Sequence, residues 1–269
     1  MPLTAMQKID WDKIWDDQMQ LTSLKGDGVE FWNKSAARIN SISFPQDDYT
    51  QELMRRMVLS PKMTVLDVGC GPGGLSLPLA ERTCSVTALD LSPVMLQHLQ
   101  QKIAEGSIAN IRTVNADFVN QDLTGLDTYD IVLASRSLPM GNLRAAITKM
   151  DSLCKQCCYL TWIARSKEID IKLCQILGKE YHPYPDYIII ANILYTMGIY
   201  ANIEIFTATS EQRYADPDEA VDLSLRGQEA DNEKREQIKD FIKKNTVIKD
   251  GARHIKQYYQ WALIWWQKR

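Results

Sequence analysis

The chain has 269 residues, 45% of them hydrophobic, and a formal net charge of −3. That size and composition suit one large α/β domain, or a core domain with additions, and they exclude a disordered chain. The slightly acidic balance leaves no basic field to attract nucleic acid. The opening "MPLTAMQKID" has no apolar core or cleavage signature of a signal peptide, and no apolar run reaches the length of a membrane helix. A soluble, cytoplasmic protein with no membrane partner is therefore expected. Six irregularly spaced cysteines in a chain of this kind do not suggest a disulfide framework.

The first 60 residues read as helical, an N-terminal cap over 1–60 ahead of a domain over 61–269 that forms one compact unit with it. In "DWDKIWDDQMQL" and "GVEFWNKSAARINSI", Trp11, Ile14, Trp15, Phe31, Trp32, Ala36 and Ile39 fall near helical spacing. A third helix is expected after Pro45, ended by Ser60-Pro61. Strands and helices then alternate. "MTVLDVG" is a strand and "GGLSLPLAER" a helix. "CSVTALDL" is a strand, followed by a helix with Ser92 as N-cap and Pro93 at its first position. "IRTVNAD", "YDIVLAS" and "CCYLTWI" read as strands, with the helix "NLRAAITKMDSLC" before the last of them. These strands are apolar with few charges, as when helices cover both faces, so the pattern predicts an α/β, doubly wound, mostly parallel sheet. Near the end, a helix over "DYIIIANILYTMGI", a strand over "YANIEIFTA", two helices and an aromatic strand "HIKQYYQWALIWWQKR" permit an antiparallel edge.

The residues that carry chemistry sit at the ends of the first strands. Between the first strand and its helix, Gly69 to Gly74 follow the spacing G-x-G-x-x-G, which lets a ligand approach bare backbone at the carboxyl edge of a sheet. A dinucleotide site would place an anionic pyrophosphate there. Here Asp67 comes just before the turn, Asp90 ends the second strand and Asp117 follows the third. Three carboxylates converging on one crevice suit a cationic ligand such as S-adenosylmethionine, which carries a sulfonium and an ammonium and no phosphate. Asp90 is placed for the ribose hydroxyls, Asp117 for the adenine amino group, and Asp67 to orient the turn. An acidic residue at the Asp90 position also serves dinucleotide enzymes, so Asp67 and Asp117 decide against a nicotinamide oxidoreductase.

"VLDVGCGPGG" resembles the first motif of the class I S-adenosylmethionine-dependent methyltransferases. "VTALDLSPVML" is similar to their second motif, "VNADF" to the segment flanking adenine, and "YDIVLAS" to their fourth strand. The match runs in order from about Met63 to Ile163. It implies a Rossmann-like, seven-stranded sheet whose last strand is antiparallel. It also implies that Gly69 and Gly71 lie near the methionine moiety, Asp90 and Leu91 at the ribose, Asp117 and Phe118 at adenine, and Ser135 beside the sulfonium. Cys70, within the turn, is carried into the cofactor-binding set as filler rather than nucleophile. The expected reaction is methyl transfer by in-line displacement to a small or medium-sized acceptor. A protein or RNA methyltransferase, or a non-catalytic module that binds the cofactor, are the alternatives.

Candidates for acceptor chemistry are thinner. "SRSLP" (135–139) follows the fourth strand and lacks the Asn-Pro-Pro-Tyr-like motif common in methyltransferases of nucleic-acid amino groups. Its Arg136 could meet an anionic substrate or pair on the surface. "YHPYPDY" (181–187) offers His182 as a candidate general base. Phe31 and Trp32 could close over the cofactor or simply pack. Cys154, Cys157 and Cys158, with Cys174 farther on, lack nearby histidines, so they read as small core residues and no metal is expected.

Overall fold

The computed structural model describes residues 5–22, 28–42, 47–138, 141–165, 168–214, 216–225, 229–249 and 252–268. Pro45 and Pro139 lie outside them. Among the described residues, a 3-10 turn (Met6–Lys8) and three α-helices precede the sheet: α1 (Trp11–Leu21), α2 (Gly28–Ile42) and α3 (Asp48–Arg56). Side chains start two of them. Asp10 accepts from Lys13 N at 3.0 Å and Asp47 from Thr50 N at 2.7 Å, each satisfying an orphan donor of a first turn. The third helix stops at Arg56, short of the Ser60-Pro61 boundary, because Met57 is already extended.

The alternating segment forms as expected. The strands are β1 (Thr64–Val68), β2 (Ser85–Asp90), β3 (Ile111–Asn115), β4 (Tyr129–Ser135) and β5 (Cys154–Ile163). Between them lie α4 (Ser76–Ala80), α5 (Pro93–Glu105) and α6 (Leu143–Leu153). Then come α7 (Glu168–Leu177), α8 (Tyr187–Thr196), β6 (Asn202–Tyr214), α9 (Pro217–Leu225), α10 (Asn232–Lys244), β7 (Thr246–Lys249) and β8 (Ala252–Gln267). Ser92 caps α5, accepting from Met95 N at 3.1 Å, with Pro93 as its first residue.

The sheet order is β3-β2-β1-β4-β5-β8-β6. β1 to β5 pair in parallel and β8 runs antiparallel between β5 and β6. The seven expected strands are present, with the last antiparallel. An eighth, the short β7, was not expected and pairs with the start of β8. Val65, Leu66, Val68, Ile131, Val132 and Leu133 are all buried, because helices cover both faces of the sheet. One core, with Trp15, Ile147, Ile190 and Ile193, lies under α1, α6 and α8. The opposite core gathers Tyr49, Leu53, Leu79 and Phe206 under α3 and α4.

β8 is longer than the sheet needs. Its pairing with β5 ends at Ile163↔Trp261, yet residues 252–260 continue past the carboxyl end of β5, paired with β6 and, over 252–255, with β7. This extension carries a cluster of its own, in which Leu173, Tyr214, Val221, Ile238 and Ile255 join α7, α9 and α10. The chain thus builds a wall beyond the carboxyl edge on the β5–β8–β6 side.

Candidate functional site

The glycine turn follows β1 and is pinned to β2. Gly69 N and Cys70 N both donate to Leu89 O, at 2.7 and 3.0 Å. Gly69, Gly71 and Gly73 all have left-handed φ, +69°, +55° and +87°, a region that strains any residue with a Cβ. Their surroundings differ. A Cβ on Gly69 would stand 2.4 Å from Ser137 Cβ, and one on Gly73 would stand 2.4 Å from Leu99 Cδ1. A Cβ on Gly71 would meet nothing within 4 Å. Gly69 is thus required by the protein's own packing, Gly73 abuts a leucine methyl that would have to shift, and Gly71 opens bare backbone to space. The turn also shortens the helix expected from Gly73, which begins only at Ser76.

Asp67 is buried, 1% exposed, and accepts from Ser76 Oγ at 2.5 Å, bracing the turn between β1 and α4. Burial pushes its carboxyl up to about 7; Ser76 and the Arg136 charge pull the other way, and the Asp90 charge adds to the rise. Asp90, the acid expected at the ribose, accepts from Ser92 N and Gly71 N, both at 2.8 Å, one on each oxygen. Burial raises its carboxyl above the usual range against these two bonds. Asn115 Nδ2 donates to Asp90 O and Leu91 O at 3.0 Å, fixing the backbone there. From the N-terminal segment, Asn33 Oδ1 accepts from Ser92 Oγ at 2.6 Å, which brings α2 to the same loop. Phe31 and Trp32 stand next to this link, edge to face at 5.1 Å.

The adenine pair is placed less simply. Asp117 accepts from Val119 N and Asn120 N on one oxygen, at 3.0 and 2.9 Å, and from Asn120 Nδ2 on the other, at 2.9 Å. Burial would raise its carboxyl, but the bonds from Asn120 and Val119 and the charge of Lys149 hold it below the usual range. This carboxylate closes its own turn. Phe118 is 4% exposed and its ring belongs to the core.

At the end of β4, three side chains meet one that the sequence did not single out. Tyr49 Oη, from α3, lies 2.7 Å from Ser135 Oγ and 2.6 Å from Thr161 Oγ1 of β5. Burial raises the Tyr49 phenol, which keeps it neutral. Arg136 has φ +58°, its N–H donates to Thr161 Oγ1 at 3.0 Å, and its guanidinium carbon stands 4.1 Å from the centre of the Tyr49 ring. Ser137 Oγ donates to Val68 O at 2.7 Å, so residues 135–137 run alongside the glycine turn. An aromatic at this point of an amphipathic helix reads as core. Only the packing of α3 over the ends of β4 and β5 reveals the contact.

His182 is half-buried, its Nε2 3.7 Å from Glu180 Oε2. Its segment is anchored on α1 and β5: Gln18 Nε2 donates to Tyr184 O, Thr22 Oγ1 to Pro183 O and Trp162 Nε1 to Pro185 O. Cys154, Cys157 and Cys158 all lie within β5, and Cys174 is buried in α7. Among the described residues no three or more His, Cys, Asp and Glu side chains are grouped to hold a metal ion.

The methyltransferase domain family matches residues 65–156. An uncharacterized protein of Haemophilus influenzae is 31% identical over 241 residues, 87% of this chain and 88% of that one. (S)-tetrahydroprotoberberine N-methyltransferase of Eschscholzia californica is 31% identical over 100 residues, 36% of this chain but 28% of that enzyme. Ribosomal RNA small subunit methyltransferase A of Mycobacterium tuberculosis is 37% identical over 70 residues, 26% of this chain and 22% of that enzyme. The YcgJ protein of Bacillus subtilis superposes with a TM-score of 0.56 at 14% identity, over 82% of this chain and 98% of that one, which is a likeness of fold. Residues 65–156, which carry the glycine turn, Asp90 and the strands that present them, thus belong to the methyltransferase domain family.

Proposed function

We propose that this methyltransferase acts on a small or medium-sized acceptor and binds its cofactor along the edge from Gly69 to Ser135. The observation that carries the cofactor assignment is Gly71: its strained backbone faces open space while its N–H holds Asp90 in place. In this reading the Gly69, Cys70 and Gly71 backbone borders the methionine moiety. Asp90 and Leu91 take the ribose, Asp117 and Phe118 flank adenine, and Ser135 stands beside the sulfonium. The two Asp90 oxygens are already oriented by backbone donors, and each retains a lone pair for a ribose hydroxyl. The three N–H donors on Asp117 leave it little free accepting capacity, so it serves adenine mainly by holding the loop shape.

The bound cofactor supplies a methyl group already activated on sulfur. What remains for the protein is to hold the acceptor in line with the departing sulfur and to keep water out. Positioning of this kind can lower a barrier by about 7–11 kcal/mol, so no covalent catalyst is needed. An amine or hydroxyl acceptor must also lose a proton, for which His182 is the candidate base. A small acceptor is favoured by the wall that β6, β7 and β8 raise beyond the carboxyl edge, and by the segment 181–187 seated against α1 and β5. The net charge of −3 weighs against nucleic acid. The helices α1 to α3 act as a cap that is part of the same unit, since Trp15 packs against Trp162 with ring centres 5.0 Å apart and α3 lies on β6.

The test uses labelled S-adenosylmethionine with separate metabolite, protein and RNA fractions. Label is expected in the metabolite fraction. Label confined to RNA or protein would favour the macromolecular alternative. Cofactor binding without label in any fraction would favour a binding module.

A further inference from the structure

Arg136 stands apart from the other surface cations among the described residues. It follows directly on Ser135 and holds a left-handed backbone, φ +58°, outside glycine. Such a conformation persists only where the surroundings enforce it, and it concentrates at functional positions. Here the enforcement is visible. The Arg136 N–H is taken by Thr161 Oγ1, and residue 137 is tied back to Val68 O. The strain turns the side chain over Tyr49, whose ring is buried and whose hydroxyl is fixed by Ser135 and Thr161.

The guanidinium is therefore seated over an aromatic ring, its carbon 4.1 Å from the ring centre, with its N–H groups left for other partners. Among the described residues no hydrogen bond uses those groups. Asp47 is the nearest carboxylate, at 3.9 Å, and its other oxygen caps α3. The side chain remains 38% exposed. A planar donor fork held over an aromatic ring is an arrangement that receives a carboxylate or phosphate through two parallel bonds. The site lies beside the glycine turn, close enough for the Arg136 charge to act on Asp67.

We propose that Arg136, seated on Tyr49, is the receptor for an oxyanion carried by the methyl acceptor, so that the substrate class is a carboxylate- or phosphate-bearing molecule. This rests on the reading of the 135–137 edge as the acceptor side of the methyltransferase site. The receptor places the acceptor's anionic group and thereby its nucleophile. It takes no part in the transfer itself.

The experiment follows the Arg136 side-chain Nε–H signal by nitrogen NMR while the protein is titrated with sodium benzoate, inorganic phosphate or neutral benzamide. Each titration is run with and without saturating S-adenosylhomocysteine. A saturable shift with benzoate or phosphate, and none with benzamide, is expected; whichever anion saturates identifies the carboxylate or the phosphate arm, and both saturating marks a general oxyanion seat. Apparent affinity, followed through neighbouring backbone amides, should fall at least about tenfold in Arg136→Lys and vanish in Arg136→Gln, with both variants shown to be folded by thermal unfolding. The proposal is overturned if neither anion gives a saturable shift in either state, or if Arg136→Gln binds them as well as the unaltered protein. Binding of S-adenosylhomocysteine in the same samples reports separately on the cofactor assignment, so failure of one does not disguise failure of the other.

Discussion

Gly69, Gly71 and Gly73 carry one motif but three different demands. Gly69→Ala meets both a left-handed φ and Ser137, whereas Gly71→Ala meets the φ alone. Gly69→Ala should therefore lose more stability in denaturant unfolding, beyond the roughly 1–2 kcal/mol that left-handed strain accounts for in Gly71→Ala. Gly71→Ala should in turn weaken S-adenosylhomocysteine binding out of proportion to its stability loss, since its Cβ enters the open space. Arg136 allows a second comparison. Arg136→Gly and Arg136→Ala both remove the guanidinium, but only glycine relieves φ +58°, so the glycine variant should be the more stable by about 1 kcal/mol. Equal stability would show that the backbone there is not strained. At this scale the sequence revealed which residues lie at strand ends, because spacing determines that. It did not reveal that Asp117 would spend its carboxylate on its own turn, or that Asp67 would be sealed against Ser76; both depend on local loop geometry.

Among the elements, α3 bears most directly on the acceptor side. Its Tyr49 joins the ends of β4 and β5 through two hydroxyl contacts. Tyr49→Phe leaves the Ser135 and Thr161 hydroxyls to find new partners, at a cost of about 1–3 kcal/mol measurable by denaturant unfolding. It should also loosen Arg136, visible as a weaker apparent affinity for anions. A cost near zero would mean that the hydroxyl network contributes nothing. The parallel strands and their helices were legible because their apolar runs, caps and turn residues agree, as at Ser92-Pro93. β7 was not legible: four residues carry no period, and the strand exists because the over-long β8 offers it an edge. α3 ended early for a similar reason, with Met57 drawn into the core rather than continuing the helix.

For the whole molecule, the buried Asp67 links stability to pH. An ordinary carboxylate titrates near 3.8, whereas Asp67 in the folded protein titrates at about 7. Between those values the folded state holds the extra proton, so this group makes stability fall as pH rises through the window, with no further effect below or above it. Asp67→Asn should flatten that part of the profile when denaturant midpoints are compared from about pH 4 to about pH 8. A profile as steep as that of the unaltered protein would remove Asp67 as its source. Holding its proton up to about pH 7, Asp67 serves the crevice by bracing the glycine turn through Ser76, not by presenting a charge to the ligand. The central claim is that the glycine turn and Asp90 together seat S-adenosylmethionine, and calorimetric titration with S-adenosylhomocysteine tests it most directly. Saturable binding is expected in the unaltered protein, weakened about tenfold or more in Asp90→Ala, as the loss of charge-assisted hydrogen bonds of about 1.5–3 kcal/mol requires. Absence of binding, or an affinity unchanged by Asp90→Ala, would contradict the account.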